Sequence, residues 1–414
     1  MGNVIKKLAV NLGLVALSLA LTLFIIEVGL RLFYPASERD WSAIHRPDSE
    51  LGWAYIPDSS QWYTSPGEFR TFIQINANGQ RDEPRSYQKP ADTYRMIMLG
   101  DSFVASLQTP LTQTFVKETE DHFRQRSVQP GYRIEVLNAG TGGYGTDQEL
   151  RWFRKDGVRY APDCVVLIIF LGNDIADNDF ELWYLNTPLT PPKPFFRLAQ
   201  GTLYDAGFSG APSELSGDQE VSVLSLRRFL QRYSYTFTMT SAMLARLEGK
   251  PAFQTALTWL GRGGAANTYN HSYDIFAATP PPAWERAWAI TEALILALRD
   301  EVEASGAEFR VVLLPHPVQV QRDWWAARLS LYPAMAQIQW DLLQPNAHLA
   351  NFFEAHRIAY LDVYPELAGY VKRTGAYLYY RSDGHFTPEG NQIVGQAIAD
   401  WLAETERWRT VSSE

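Results

Sequence analysis

Cysteine is almost missing from this chain. Its 414 residues include a single one, Cys164, so no intramolecular disulfide can form and stability has to come from the core. Cys164 opens the apolar run Cys164-Val165-Val166-Leu167-Ile168-Ile169-Phe170, a setting for a buried structural thiol rather than a nucleophile. An excess of basic residues is lacking too. With 37 Lys and Arg against 46 Asp and Glu, the formal net charge is −9. A phosphate backbone would find no electrostatic hold here, which sets nucleic-acid binding aside. Internal repeats and a low-complexity tail are absent. No cysteine follows the N-terminal apolar run, which excludes a lipoprotein anchor.

That apolar run is the first positive feature. Lys6 and Lys7 precede a stretch from Leu8 to about Ile26, apolar apart from Asn11, Ser18 and Thr22. A bilayer-crossing helix needs about 20 such residues. The flanking lysines point to a cytoplasmic N-terminus with the rest of the chain exported. The alternative is a cleaved signal peptide, whose apolar core is about 7–15 residues with a small-residue cleavage site behind it. Here the run continues through Glu27-Val28-Gly29-Leu30-Arg31-Leu32-Phe33 without such a site. An uncleaved single-pass anchor in the cytoplasmic membrane is therefore expected, with a periplasmic or extracellular catalytic domain.

The division expected along the chain is residues 1–35 as cytoplasmic tip and anchor, 36–90 as leader, and 91–410 as the main domain. Gln61-Trp62-Tyr63 and Thr71-Phe72-Ile73-Gln74-Ile75, with the turn signal Asn78-Gly79, predict short strands or a hairpin in the leader. From Tyr94 onward, short apolar strands alternate with amphipathic helices. Met96–Leu99, Ile134–Leu137, Val165–Leu171, Phe309–Leu314 and Ala359–Val363 read as strands. Phe115, Thr119 and Phe123 mark one helix face; Ile290, Leu294, Leu298 and Val302 mark another. This alternation predicts an α/β domain around a parallel sheet. A Pro-, Gly- and Ser-rich interruption at about 186–282, with a helical patch near 224–247 and a glycine-rich turn at 261–264, reads as an insertion. It is either a cover for the substrate site or a surface decoration.

Chemistry-bearing residues gather where the strands end. Gly100-Asp101-Ser102 closes the first core strand, the edge where α/β folds place their ligands, and a serine entering a helix there meets a field that favours developing negative charge. Alone, the tripeptide is equally a helix cap. The second strand ends in Asn138-Ala139-Gly140-Thr141-Gly142-Gly143-Tyr144-Gly145-Thr146, where glycines let backbone N–H groups approach a ligand. The third ends in Gly172-Asn173-Asp174. Before the last helix comes Ser382-Asp383-Gly384-His385-Phe386-Thr387-Pro388-Glu389-Gly390-Asn391, with a carboxylate two residues ahead of a histidine. Acyl transfer from a hydroxyl needs a base, a group to orient that base, and preorganised donors for the oxyanion; each requirement has a candidate.

In this order the four blocks resemble the SGNH hydrolases, also called GDSL-like esterases, over about residues 94–405. The resemblance implies a flavodoxin-like three-layer fold. It implies Ser102 as nucleophile, with its backbone N–H in the oxyanion hole. Gly143 would donate a second backbone N–H, with Gly140 and Gly142 close enough to leave that register open. Asn173 would supply a side-chain amide, His385 the general base, and Asp383 the carboxylate that orients it. Many members space the last pair Asp-x-x-His; this chain has Asp-x-His, with Ser382 three before the histidine. The resemblance implies no cofactor and no metal.

Other candidates have plainer readings. His316, between Pro315 and Pro317, reads as part of a rigid turn, and His45, His122, His271, His348 and His356 have no companion motif. Asp174, Asp177 and Asp179 lack the ligand series of a calcium loop and read as a solvated loop. Asp101 reads as a structural hydrogen-bonding residue, and most of the 13 tryptophans as core or interface. The expected function is a serine-dependent esterase or O-acyltransferase working through an acyl-enzyme on an ester- or acetyl-bearing substrate outside the cytoplasm, such as an envelope polysaccharide or lipid. A non-catalytic, membrane-anchored docking subunit on the same fold is the rival, and protein partners are not legible.

Overall fold

A computed structural model describes residues 2–33, 41–65, 67–125, 133–186, 192–208, 236 and 269–404. The predicted helical patch at 224–247, apart from Thr236, and the turn at 261–264 lie outside these residues. Two compact units are resolved, one of Met1–Asp40 with Ala211–Ala266 and the other of Trp41–Gly210 with Asn267–Glu414.

In the first unit, helix α1 (Gly2–Phe33) contains the stretch Gly13–Leu30, long and apolar enough to cross a membrane. Leu17, Phe24 and Ile25 stay exposed along it, as a helix selected for a lipid surroundings or a signal sequence would leave them.

The second unit opens with two antiparallel hairpins, β1 (His45–Asp48) with β2 (Gly52–Tyr55) and β3 (Ser60–Ser65) with β4 (Phe69–Gln74). The α/β core follows in chain order. It runs β5 (Thr93–Gly100), α2 (Ser102–Ala105), α3 (Phe115–Gln125), β6 (Arg133–Gly140) and α4 (Thr146–Lys155). Next come β7 (Cys164–Phe170), α5 (Asp174–Asp177) and α6 (Phe180–Asn186), then a third hairpin, β8 (Pro194–Ala199) with β9 (Thr202–Phe208). The core resumes with α7 (Pro282–Ala304), β10 (Glu308–Leu314), α8 (Pro317–Val320), α9 (Arg322–Leu331) and α10 (Gln344–His356). It closes with β11 (Ala359–Asp362), α11 (Tyr364–Thr374) and α12 (Pro388–Glu404).

The five core strands pair in parallel in the order β11-β10-β7-β5-β6. Read from β6 in chain-order terms this is 2-1-3-4-5, the flavodoxin-like arrangement, whose switch point lies between the first and third strands. Alternation along the strands feeds two cores. Ile97, Leu99, Val165, Leu167 and Ile169 pack on Leu150 and Phe153 of α4, Ile290 and Leu294 of α7 and Phe353 of α10. Met96, Met98, Val166 and Ile168 pack on Phe115 and Phe123 of α3, Leu367 of α11 and Val394 and Ile398 of α12. Every residue of β7 is buried, as a central strand covered on both faces requires. Cys164 is among them, and burial pushes its thiol up to about 12, leaving it un-ionised and inert.

The leader is built into this unit. Arg81, completely buried, donates to the carbonyls of Ala105, Ser106 and Thr109, placing a cation at the C-terminal end of α2, where the helix carbonyls favour it.

Candidate active site

The switch point is where the chemistry gathers. β5 ends at Gly100, where a Cβ would meet Val104 Cγ2 at 2.3 Å, so only glycine allows the turn into α2. Asp101 caps that helix, its Oδ1 accepting from the Phe103 N–H at 2.8 Å. Ser102 follows as the first helical residue. α2 stops after one turn at Ser106, which takes a left-handed φ of 47°. The structural role expected of Asp101 is therefore visible as a cap, and its Oδ2 also lies 3.3 Å from Ser102 Oγ. Burial pushes the Asp101 carboxyl up, opposed by the Phe103 N–H and by His385.

The three glycines of the second loop separate by role. A Cβ on Gly140 would lie 2.2 Å from the Ala105 nitrogen, so this glycine lets β6 pass close to α2. Gly142 lies against the nucleophile candidate, its Cβ position 3.8 Å from Ser102 Cβ. Gly143 takes φ +77°, a conformation L side chains adopt only at a cost. The loop is held from the leader: Trp53 Nε1 donates to Gly142 O at 3.0 Å, and Tyr144 Oη donates to Trp53 O at 2.6 Å.

Just past the end of β7 stands Gly172, where a Cβ would collide with the Phe170 ring. Asn173 then stands at the head of α5 with its Nδ2 donating to Asp177 Oδ2 at 2.6 Å. On the far side of the sequence, Gly384 takes φ +89°. Gly384 N donates to Tyr380 O and Tyr380 N to His385 O, both at 2.8 Å. This tight turn brings Asp383 alongside His385 although only one residue separates them. His385 Nδ1 lies 2.6 Å from Asp383 Oδ1, and Nε2 lies 2.7 Å from Ser102 Oγ. A proton on Nδ1 facing the carboxylate leaves the Nε2 lone pair for the hydroxyl. The ring rests at 4.7 Å from that of Phe103. Ser382 contributes its backbone, donating N–H to Glu68 Oε1 at 2.6 Å. Asn391, fully buried on α12, accepts from the Phe115 N–H and from Ser106 Oγ, which ties the histidine-bearing segment to α2 and α3.

Ser102, Asp383 and His385 are thus joined in one hydrogen-bonded chain, and the segments carrying Gly143 and Asn173 end on the same edge of the sheet. His316 stands apart from that chain. It is half-buried, packed against Phe170, Tyr273 and Phe276, its Nδ1 accepts from the Val318 N–H at the head of α8, and desolvation lowers its pKa to about 3. One expectation fails. Asp174, Asp177 and Asp179 are buried, not solvated. They act as local acceptors: Asp174 for Phe170 N, Asp177 for Asn173, and Asp179 for the N–H groups of Glu181 and Leu182. Such capping is a recurrent use of short acidic side chains in turns, and the spacing of three aspartates alone does not reveal it.

Trp53, Glu68 and Arg81 support the site without any local motif to announce them. Trp53→Phe removes the N–H while keeping an aromatic ring. A net hydrogen bond is worth about 1 kcal/mol, so stability should fall by about that much and kcat by up to about tenfold, with KM nearly unchanged. Steady-state kinetics on an aryl ester checks this. An unchanged kcat would mean the Gly142–Gly143 loop holds its shape without Trp53.

No protein-family model and no curated protein sequence matches the chain. Among solved structures, an acetylxylan esterase from Geobacillus stearothermophilus is similar at 11% identity, over 75% of this chain and 94% of that one, with a TM-score of 0.36. The lipase/acylhydrolase from Enterococcus faecalis is similar at 12% identity, over 75% and 96%, with a TM-score of 0.33. A GDSL-like lipase from Bacteroides thetaiotaomicron is similar at 13% identity, over 77% and 92%, with a TM-score of 0.32. Likeness at this level leaves the chemistry to be argued from the site's own residues.

Proposed function

We propose that this protein is an SGNH-type serine hydrolase or acyltransferase that opens an ester through an acyl-enzyme on Ser102, held at a membrane by its N-terminal helix. The observation that carries the proposal is the continuous chain Ser102 Oγ, His385 Nε2, His385 Nδ1, Asp383 Oδ1, with contacts of 2.7 and 2.6 Å, at the switch point of the sheet. Ser102 Oγ attacks the acyl carbonyl carbon while its proton passes to His385 Nε2. Asp383 steadies the imidazolium that results. The oxyanion is received by the N–H groups of Ser102 and Gly143 and by the Asn173 amide. The tetrahedral adduct collapses, and His385 returns the proton to the departing alkoxide. Water, or the hydroxyl of a second substrate, then attacks the acyl-enzyme with His385 again as base. Water makes the protein an esterase, and a sugar hydroxyl makes it an O-acyltransferase.

In this proposal residues 1–35 are tip and anchor, and 91–410 are the hydrolase domain with an insertion at about 186–282. The substrate is an ester or acetyl group on an envelope polysaccharide or lipid outside the cytoplasmic membrane. Full-length protein should stay with the membranes after carbonate washing and be labelled there by a fluorophosphonate, with the adduct mapping to Ser102. Release by carbonate with an N-terminus beyond the apolar run would replace the anchor by a cleaved signal. Folded protein that takes no label would overturn the chemistry.

A further inference from the structure

Beneath the catalytic edge lies a set of buried carboxyls that the reaction does not consume. Asp147 and Glu149 come from α4, Asp174 and Asp177 from α5, and Asp101 from the turn after β5; all are at most 3% exposed. Buried charge is costly unless it is paired. The pairing comes from outside the catalytic motifs. Lys193, just before β8, is completely buried, and its Nζ lies 2.6 and 2.8 Å from the two oxygens of Asp147. Gly145 holds the nest together. A Cβ there would sit 3.2 Å from Asp147 Oδ1 and 3.3 Å from Asp177 Cβ, so Asp147 and Asp177 face each other across this glycine. Asp177 Oδ2 in turn receives the Asn173 amide at 2.6 Å.

We propose that Asp177 is the positioning residue of the oxyanion hole: it captures one N–H of Asn173 Nδ2, fixing the amide so that the other N–H serves the oxyanion, with Lys193 as the buried cation that sustains its charge. The inference rests on the role given above to Asn173. A primary amide has two donors and can rotate about its terminal torsion. An amide held at one donor has its second donor set in direction before substrate arrives, and such preorganisation is what an oxyanion hole requires. Charge-assisted acceptance by a carboxylate makes that hold stronger than a neutral acceptor would. The groups that face Asp177 are Lys193, Asp101, Asp147 and Asp174. Burial outweighs the opposing pull of Lys193 and the Asn173 amide and leaves its carboxyl pushed up to about 7. Near neutrality it therefore passes between a charge-assisted hold on the amide and the weaker hold of a neutral carboxyl.

The test is a double-mutant cycle read as kcat on an aryl acetate, with thermal melts as the folding control. Asp177→Leu should lower kcat by about 10²–10³-fold with KM little changed, matching Asn173→Ala. In the Asn173→Ala background the same substitution should cost less than about threefold, because the two residues act as one unit. If Asp177→Leu does not fold, Asp177→Asn decides. It should cost about tenfold alone and nothing in the Asn173→Ala background, and its pH profile should lack the step of that size that the wild type shows as Asp177 takes up a proton near pH 7. Equal losses from Asp177→Asn in both backgrounds, or no loss in either, would overturn the proposal. Wild-type protein that neither turns over the ester nor takes a fluorophosphonate would instead overturn the serine chemistry on which it stands.

Discussion

Ser102→Ala is expected to lower kcat on a short-chain aryl ester by on the order of 10⁴-fold or more, and to abolish fluorophosphonate labelling. The size follows from what the nucleophile does: without Oγ no acyl-enzyme forms, and His385 and Asp383 have nothing to activate. Triad members act as a unit, so losing the nucleophile alone costs nearly as much as losing all three. What survives is the modest acceleration that an oxyanion hole and substrate binding give to direct attack by water. Folding should be nearly untouched. The cap of α2 is the Asp101 carboxylate on the Phe103 N–H, which the substitution leaves in place, and the melting curve should reflect a change within about 0.5 kcal/mol. Retention of more than a tenth of wild-type turnover by a folded Ser102→Ala protein would remove Ser102 from the mechanism.

Asp383→Asn carries the second large effect. Asp383 Oδ1 sits 2.6 Å from His385 Nδ1, close enough to fix the tautomer that leaves Nε2 free to accept. An asparagine can turn its own N–H toward Nδ1. The imidazole proton then moves to Nε2, where it faces Ser102 Oγ as a donor and can no longer take the hydroxyl proton. Loss of the correct tautomer in such an arrangement costs about 10⁴-fold in kcat with little change in geometry. Ser382→Ala is the matched control. Ser382 is held through its backbone by Glu68, which the substitution keeps, so activity should change little. Comparable losses from the two substitutions, or a loss under about tenfold for Asp383→Asn, would take the orienting role away from Asp383.

The spacing of that pair shows how far local pattern reaches. Asp-x-His is one residue shorter than the spacing seen in many proteins with similar motifs, and the sequence alone does not say whether so short a separation lets the carboxylate meet the ring. Gly384 at φ +89° answers it: the turn folds back on Tyr380 and presents both side chains to one side. The glycines of the second loop follow the same logic. Their abundance signals close approach, while their assignment rests on neighbours from distant segments, Ala105 for Gly140, Ser102 for Gly142 and Trp53 for Gly143.

The aspartates after β7 mark the opposite limit. A run with three acids in six residues, Asp174 to Asp179, reads as solvated on composition, because burial depends on partners that composition does not contain. Those partners are the Phe170 N–H for Asp174, the Asn173 amide for Asp177, and the N–H groups of Glu181 and Leu182 with the Arg286 guanidinium for Asp179, with Lys193 as the buried cation near Asp177.

The sequence by itself determined the strand and helix alternation, the buried central strand at Val165–Leu171, the apolar N-terminal run and the four segments that bear the candidate chemistry. Each of these is written in residues close together in the chain, in periods of two or 3.6 and in turn glycines. Only the tertiary structure decided that Trp53, Glu68 and Arg81 of the leader brace the loops around Ser102 and His385, and that Lys193 lies buried against Asp147 beside Asp177. Such contacts join residues tens to hundreds of positions apart, among them Glu68 with Ser382 and Ser102 with His385. No local period encodes them, and they exist only once the parallel sheet has brought the strand ends to one edge.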